Sequence, residues 1–137
     1  MSTVSSRRTL RRPPITVSQE DFDRLYALAE AAADRQPEVA ENLLGELDRA
    51  KVLPAGKLRS AVVAMGSRVT FEDEVTGKVQ TVELVYPGEA DIAAGRISIL
   101  TPIGVALIGL AAGQSISWET RGGERRQLKV HAVEERS

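Results

Sequence analysis

The stretch Arg96–Glu134 reads RISILTPIGVALIGLAAGQSISWETRGGERRQLKVHAVE, and its pattern decides the fold. Ile97 and Ile99 alternate with polar neighbours, as one face of a strand does. Thr101 then offers a hydroxyl to a free amide of a first helical turn, and Pro102 stands where no donor is needed. The segment Ile103–Leu110 carries no charge, so this helix lies against a sheet and not in water. Gly109 and Gly113 close it. Ile116 and Trp118 mark the next strand, Gly122-Gly123 a turn, and Leu128, Val130 and Ala132 the last strand. A small α+β core follows.

Working upstream, Arg68–Glu72 places Val69 and Phe71 on one face and Arg68, Thr70 and Glu72 on the other. Thr76-Gly77 turns the chain, and Val79–Tyr86 continues with Val82, Leu84 and Tyr86 in phase, so the two runs form a hairpin. Val62 and Val63 start the sheet or pack beside it. Pro87-Gly88 opens a loop in which Glu89-Ala90-Asp91-Ile92 makes a helical turn before Gly95. Trp118 shares phase with Ile116 and reads as a core or half-buried face residue. His131, the single histidine, alternates opposite Val130 and reads as surface, with no nucleophile to serve.

The first half is helical. Ser18 is a capping residue, Asp21 answers it in a weak capping box, and Val17 staples against Phe22. Phe22, Leu25, Leu28, Ala29 and Ala32 recur at helical spacing until Gln36-Pro37 breaks the run. Val39, Ala40, Leu43, Leu44 and Leu47 form a second stripe, with Gly45 permitting close approach of the partner helix. Residues 18–50 are thus a short antiparallel hairpin. Each arm has roughly 13 to 18 residues, reaching only about 20 to 27 Å. Residues 51–61 contain Pro54 and Gly56 and read as a linker, residues 1–17 as a disordered basic tail, and residues 62–137 as the sheet domain.

Composition narrows the chemistry. The 137 residues contain no cysteine and one histidine, which excludes structural zinc and thiol catalysis. No apolar run reaches the roughly 18 residues of a membrane span, and the basic start lacks the apolar core of a signal peptide, so a cytoplasmic protein is expected. The net charge of −1 is segregated by segment. Residues 1–17 carry four arginines and no acid, whereas residues 18–50 carry nine acids against three arginines. Two readings stand for Arg7, Arg8, Arg11 and Arg12: a solvated tail, or contact with nucleic acid or an acidic partner. For the turn acids Asp34, Glu38 and Glu41, the plain reading is solvation of a helix end, with Glu38 favouring a helix N-terminus.

The series SILTPIGVALIGLAAGQSISWETRGGERRQLKV (Ser98–Val130), together with VYPGEAD (Val85–Asp91), resembles the C-terminal domain of bacterial Gre transcript-cleavage factors. It is nearer still to their Rnk branch, the regulators of nucleoside diphosphate kinase. Val105 stands where Gre factors usually carry arginine, and Gly104 precedes it as in Rnk-like proteins. The resemblance implies an FKBP-like antiparallel sheet with one helix across it, behind the short hairpin. It also implies RNA polymerase as partner, with Glu89, Asp91, Pro102, Ile103 and Gly104 as contact candidates, and control of nucleoside diphosphate kinase levels. Gre factors carry a longer hairpin whose acidic tip enters the secondary channel and helps hold a catalytic magnesium. On that resemblance this chain, with its shorter arms, is expected to be a monomeric, non-enzymatic regulator that docks at the channel and competes with cleavage factors. It needs no metal or cofactor of its own, and any DNA contact comes through the polymerase complex. The alternative is a cleavage factor with Asp34, Glu38 and Glu41 as magnesium ligands. Proline isomerisation, suggested only by the fold name, lacks a pocket walled by aromatics, and fold does not supply function.

Overall fold

The computed structural model describes residues 13–54, 61–119 and 123–134, apart from the side chains of Trp118 and Glu119. The four tail arginines, most of the expected linker and the Trp118 side chain therefore lie outside the described residues. A short strand β1 (Thr16–Ser18) leads into helices α1 (Gln19–Ala32) and α2 (Pro37–Asp48), followed by strand β2 (Lys51–Leu53). Strands β3 (Arg68–Asp73) and β4 (Val79–Val85) come next, then two single 3-10 turns (Pro87–Glu89 and Ile92–Ala94) and β5 (Arg96–Ser98). Helix α3 (Pro102–Leu107) and strands β6 (Ser115–Glu119) and β7 (Arg125–Glu134) complete the chain.

The helix starts follow their caps. Ser18 Oγ accepts from the Asp21 amide at 3.1 Å, and Pro37 opens α2. Thr101 Oγ1 accepts from the Gly104 amide at 3.1 Å while donating to the Ser98 carbonyl at 2.8 Å. Helix α3 is shorter than its uncharged run, ending at Leu107, and Gly109 follows with φ +81°. The arms of 14 and 12 residues span about 21 and 18 Å at 1.5 Å per residue.

The five-stranded sheet runs β5-β4-β3-β7-β6. β3 is the central strand, and β7, the longest, lies antiparallel between β3 and β6, with a register shift at Thr70/Phe71 in its pairing with β3. One pairing departs from the antiparallel order: β5 runs parallel to β4, because the loop between them carries the chain back across the sheet end before it re-enters at the edge. Phe71, Leu84, Ile99, Leu107, Leu110, Leu128 and Val130 are buried together in one core, to which α3 contributes Leu107. The hairpin stripe of Leu25, Ala29, Leu43 and Leu47 belongs to the same core. That stripe is therefore not an exposed face open to a second copy.

Two boundaries differ from the sequence reading. The expected tail over residues 1–17 ends early, since Ile15 and Val17 are buried and Thr16–Ser18 pairs in parallel with Lys51–Leu53. Those last three residues are in turn not linker. The ladder closes the hairpin at its base: the Lys51 amide donates to the Ile15 carbonyl at 2.9 Å, and the Thr16 amide to the Gly109 carbonyl at 3.1 Å. Gly45 also differs. A methyl added there would meet nothing within 4 Å, so its lack of a side chain serves no close helix approach. Glu46 is not one of the solvating acids: it is 4% exposed and pairs with Arg49 Nη2 at 2.9 Å.

Candidate functional site

The loop between β4 and β5 is built from two 3-10 turns, the second of them capped by a side chain. Pro87 starts the first 3-10 turn, and Asp91 Oδ1 accepts from the Ala94 amide at 3.3 Å to start the second. The Asp91 and Arg96 backbones exchange hydrogen bonds of 2.9 Å, which pins the base of the second turn. Glu89, Asp91 and Ile92 consequently stand on an exposed, internally braced loop. Ile92 is 86% exposed, the most open of the large apolar side chains among the described residues. Sequence reading passed over it as a turn residue; the signal was an isoleucine in a loop of acids, glycine and alanine, with no strand or helix phase to bury it.

Pro102 is exposed and Ile103 half-buried, but Gly104 is buried. A methyl at Gly104 would lie 2.5 Å from the Ser98 carbonyl oxygen and 2.8 Å from the Ile99 Cα. Gly104 is thus no contact residue. It lets α3 press onto the chain that precedes it, and the expectation of a surface role is corrected on that ground.

Asp34, Glu38 and Glu41 are exposed around the hairpin turn. Among the described residues no three or more His, Cys, Asp or Glu side chains gather into a group that would hold a metal ion. His131 has a partner after all: its Nε2 lies 2.8 Å from Glu72 Oε1 on the neighbouring strand β3. Among the described residues no helix is long and apolar enough to cross a membrane.

Where the hairpin meets the sheet, the Ser18 half of the expected capping box forms, but the reciprocal half is replaced. Asp21 does not turn back to Ser18; its Oδ2 accepts from the amide of Met65, 44 residues on, at 3.2 Å. One turn later the Arg24 guanidinium lies 4.2 Å from the centre of the Tyr86 ring. Asp21, Arg24, Met65, Gly66, Tyr86 and Glu89 are among the walls of a cleft of about 410 Å³. Burial raises the Asp21 carboxyl above its ordinary value, outweighing the Met65 amide that lowers it. Burial, with help from the Asp21 charge, pushes the Tyr86 phenol up to about 12. The Tyr86 hydroxyl is buried without a hydrogen-bond partner among the described residues.

Residues 58–135, which hold the loop, α3 and the five-stranded sheet, match the family model for the GreA/GreB transcription elongation factor C-terminal region. The chain belongs to the GreA/GreB family. Residues 13–53 of this family member match the Rnk N-terminal model, whose last residue is also the last residue of β2. The chain is 36% identical over 125 residues to the regulator of nucleoside diphosphate kinase of Escherichia coli (strain K12), covering 91% of this chain and 92% of that one. It is 38% identical over 98 residues to transcription elongation factor GreA of Beijerinckia indica, covering 72% of this chain but only 62% of that protein. A solved prokaryotic transcription elongation factor GreA/GreB from Nitrosomonas europaea superposes with a TM-score of 0.69 at 35% identity, over 88% of this chain and 98% of that one.

Proposed function

We propose that this GreA/GreB-family chain binds RNA polymerase, docking at the secondary channel through the Glu89–Ile92 loop and the exposed edge of α3 at Pro102 and Ile103. There it competes with Gre cleavage factors and leaves transcript cleavage unassisted. The observation that carries this reading is the length of the arms, about 21 and 18 Å, from helices of 14 and 12 residues. A docking domain of family type supports the first half of the proposal, and a hairpin too short to carry Asp34, Glu38 or Glu41 to the active centre supports the second. The protein acts as an obstruction, and its place of work is that of the polymerase, the cytoplasm.

The test uses core polymerase halted in backtracked complexes. Titrating the protein against a fixed amount of a Gre factor is expected to suppress Gre-stimulated cleavage, and the protein alone is expected to leave the cleavage rate at its background. Undiminished Gre activity at saturating protein overturns docking. Cleavage by the protein alone, lost in Asp34→Ala or Glu38→Ala, overturns the passive role and establishes the tip acids as magnesium ligands.

A further inference from the structure

The β1–β2 ladder ties the hairpin to the sheet along one line, at its base. The Thr16 amide reaches the Gly109 carbonyl, and the Gly109 amide reaches the Val63 carbonyl at 2.9 Å. Beyond that line the apolar stripe of Leu25, Ala29, Leu43 and Leu47 packs into the shared core, a contact that is not directional. Directional contacts off the line come from Asp21 and Arg24. They lie three residues apart on α1 and so share a face, and they grip different parts of the sheet domain. Asp21 holds the Met65 amide just ahead of β3, while Arg24 covers the ring of Tyr86 at the end of β4.

Tyr86 is also the residue from which the docking loop departs, since the first 3-10 turn begins at Pro87. The clamp therefore joins the hairpin to the root of the loop that meets the partner. We propose that Asp21 and Arg24 are positioning residues, which fix the angle at which the hairpin leaves the docking face and so aim it into the channel. This rests on the polymerase-docking reading for its consequence but not for its geometry. An obstruction works only where it points, and a hairpin this short cannot search for the channel once its neighbour is bound.

The absence of native cysteine makes the angle measurable by pulsed electron spin resonance. Spin labels are placed at Asp34→Cys on the hairpin turn and at Val79→Cys on the exposed start of β4. The full-length chain is expected to give one narrow distance distribution. The double change Asp21→Ala with Arg24→Ala is expected to broaden it at least twofold, while Asp21→Asn, which keeps an oxygen acceptor for Met65, restores the narrow width when Arg24 is intact. In the cleavage assay the broadened variant is expected to need about tenfold more protein for half-maximal suppression of a Gre factor.

A double variant that melts earlier yet keeps the narrow width overturns the proposal, because it shows that the pair adds stability without setting direction. Broadening with unchanged suppression overturns the aiming role. If the unsubstituted chain itself fails to suppress the Gre factor, the docking reading falls, and the distance widths still decide whether the clamp sets the angle.

Discussion

Gly109→Ala tests how the N-terminal strand is held. Gly109 has φ +81°, a left-handed conformation, which adds about 1–2 kcal/mol for a residue with a Cβ. The new methyl would lie 2.7 Å from Ile15 Cβ, 3.2 Å from Ile15 Cδ1 and 3.2 Å from the Thr16 carbonyl oxygen. Overpacking of this kind adds about 1–3 kcal/mol. Together the loss is roughly 2–5 kcal/mol, a large share of the roughly 5–15 kcal/mol that holds a domain together. For a chain of this size it lowers the melting temperature by roughly 6–20 °C.

Circular dichroism melts give the total, and hydrogen exchange gives the place. The Thr16 and Lys51 amides, which donate to Gly109 and Ile15, are expected to lose protection before those of β3 and β7. Because the closest contact is with Ile15 Cβ, adding Ile15→Ala leaves it in place and is not expected to rescue the variant. A melting temperature within 2 °C of the parent, with the Thr16 amide still protected, would refute the reasoning, since the methyl would then have found room that the backbone does not show.

Other outcomes are expected elsewhere. Gly45→Ala, at an exposed mid-helix position with nothing within 4 Å of the added methyl, should stabilise the chain by about 1 kcal/mol in urea denaturation; a loss would mean the hairpin bends at that point. Asp21→Asn should change the pH profile of stability. The Asp21 carboxyl is raised above 3.8 by burial and by Glu20, with the Met65 amide and Arg24 opposing. Its stabilising contribution is therefore complete below pH 3.8 and lost as pH rises through its folded value. Urea unfolding at pH 3.5 and pH 7 should show Asp21→Asn gaining on the parent at the higher pH, and an equal difference at both would contradict the assignment. Ile92→Asp, at a side chain 86% exposed in the free protein, should leave the melting temperature unchanged. If the loop docks, it should weaken polymerase binding by about 2 kcal/mol, roughly thirtyfold, and retained affinity in a filter-binding titration would remove Ile92 from the interface.

Much of this architecture could be read from residues because local and tertiary preferences agree. Ser18 and Thr101 cap the helices that their hydroxyls announce. Val69 and Phe71, with Val82 and Leu84, are buried in the phase that their alternation gives. What escaped reading had no period to betray it. Strands β1 and β2 have three residues each, too few for an alternation to register, and their parallel partner lies more than thirty residues away along the chain. Asp21 sat three residues after a serine, where a local partner is the usual one, but Met65 captured its carboxylate through a contact that only the finished fold creates. Gly104 was legible as part of a family pattern and misplaced as surface, because the crowding that demands glycine comes from the Ser98 and Ile99 backbone. In the loop between β4 and β5, Glu89 and Asp91 are candidates through the family resemblance, whereas Ile92 emerges only because the fold leaves it uncovered.

The hydrogen bond by which Thr16 reaches Gly109 has a consequence for biosynthesis. A growing chain emerges with its N-terminal residues first, yet Thr16 finds the carbonyl it donates to only when Gly109 has been made, and Asp21 waits for Met65. The two helices can pair as they leave the ribosome, but nothing seats them until most of the polypeptide is out. Premature termination before Gly109 therefore yields a loose helical pair with an uncovered apolar side, a fragment suited to degradation and unable to act as a miniature of the whole.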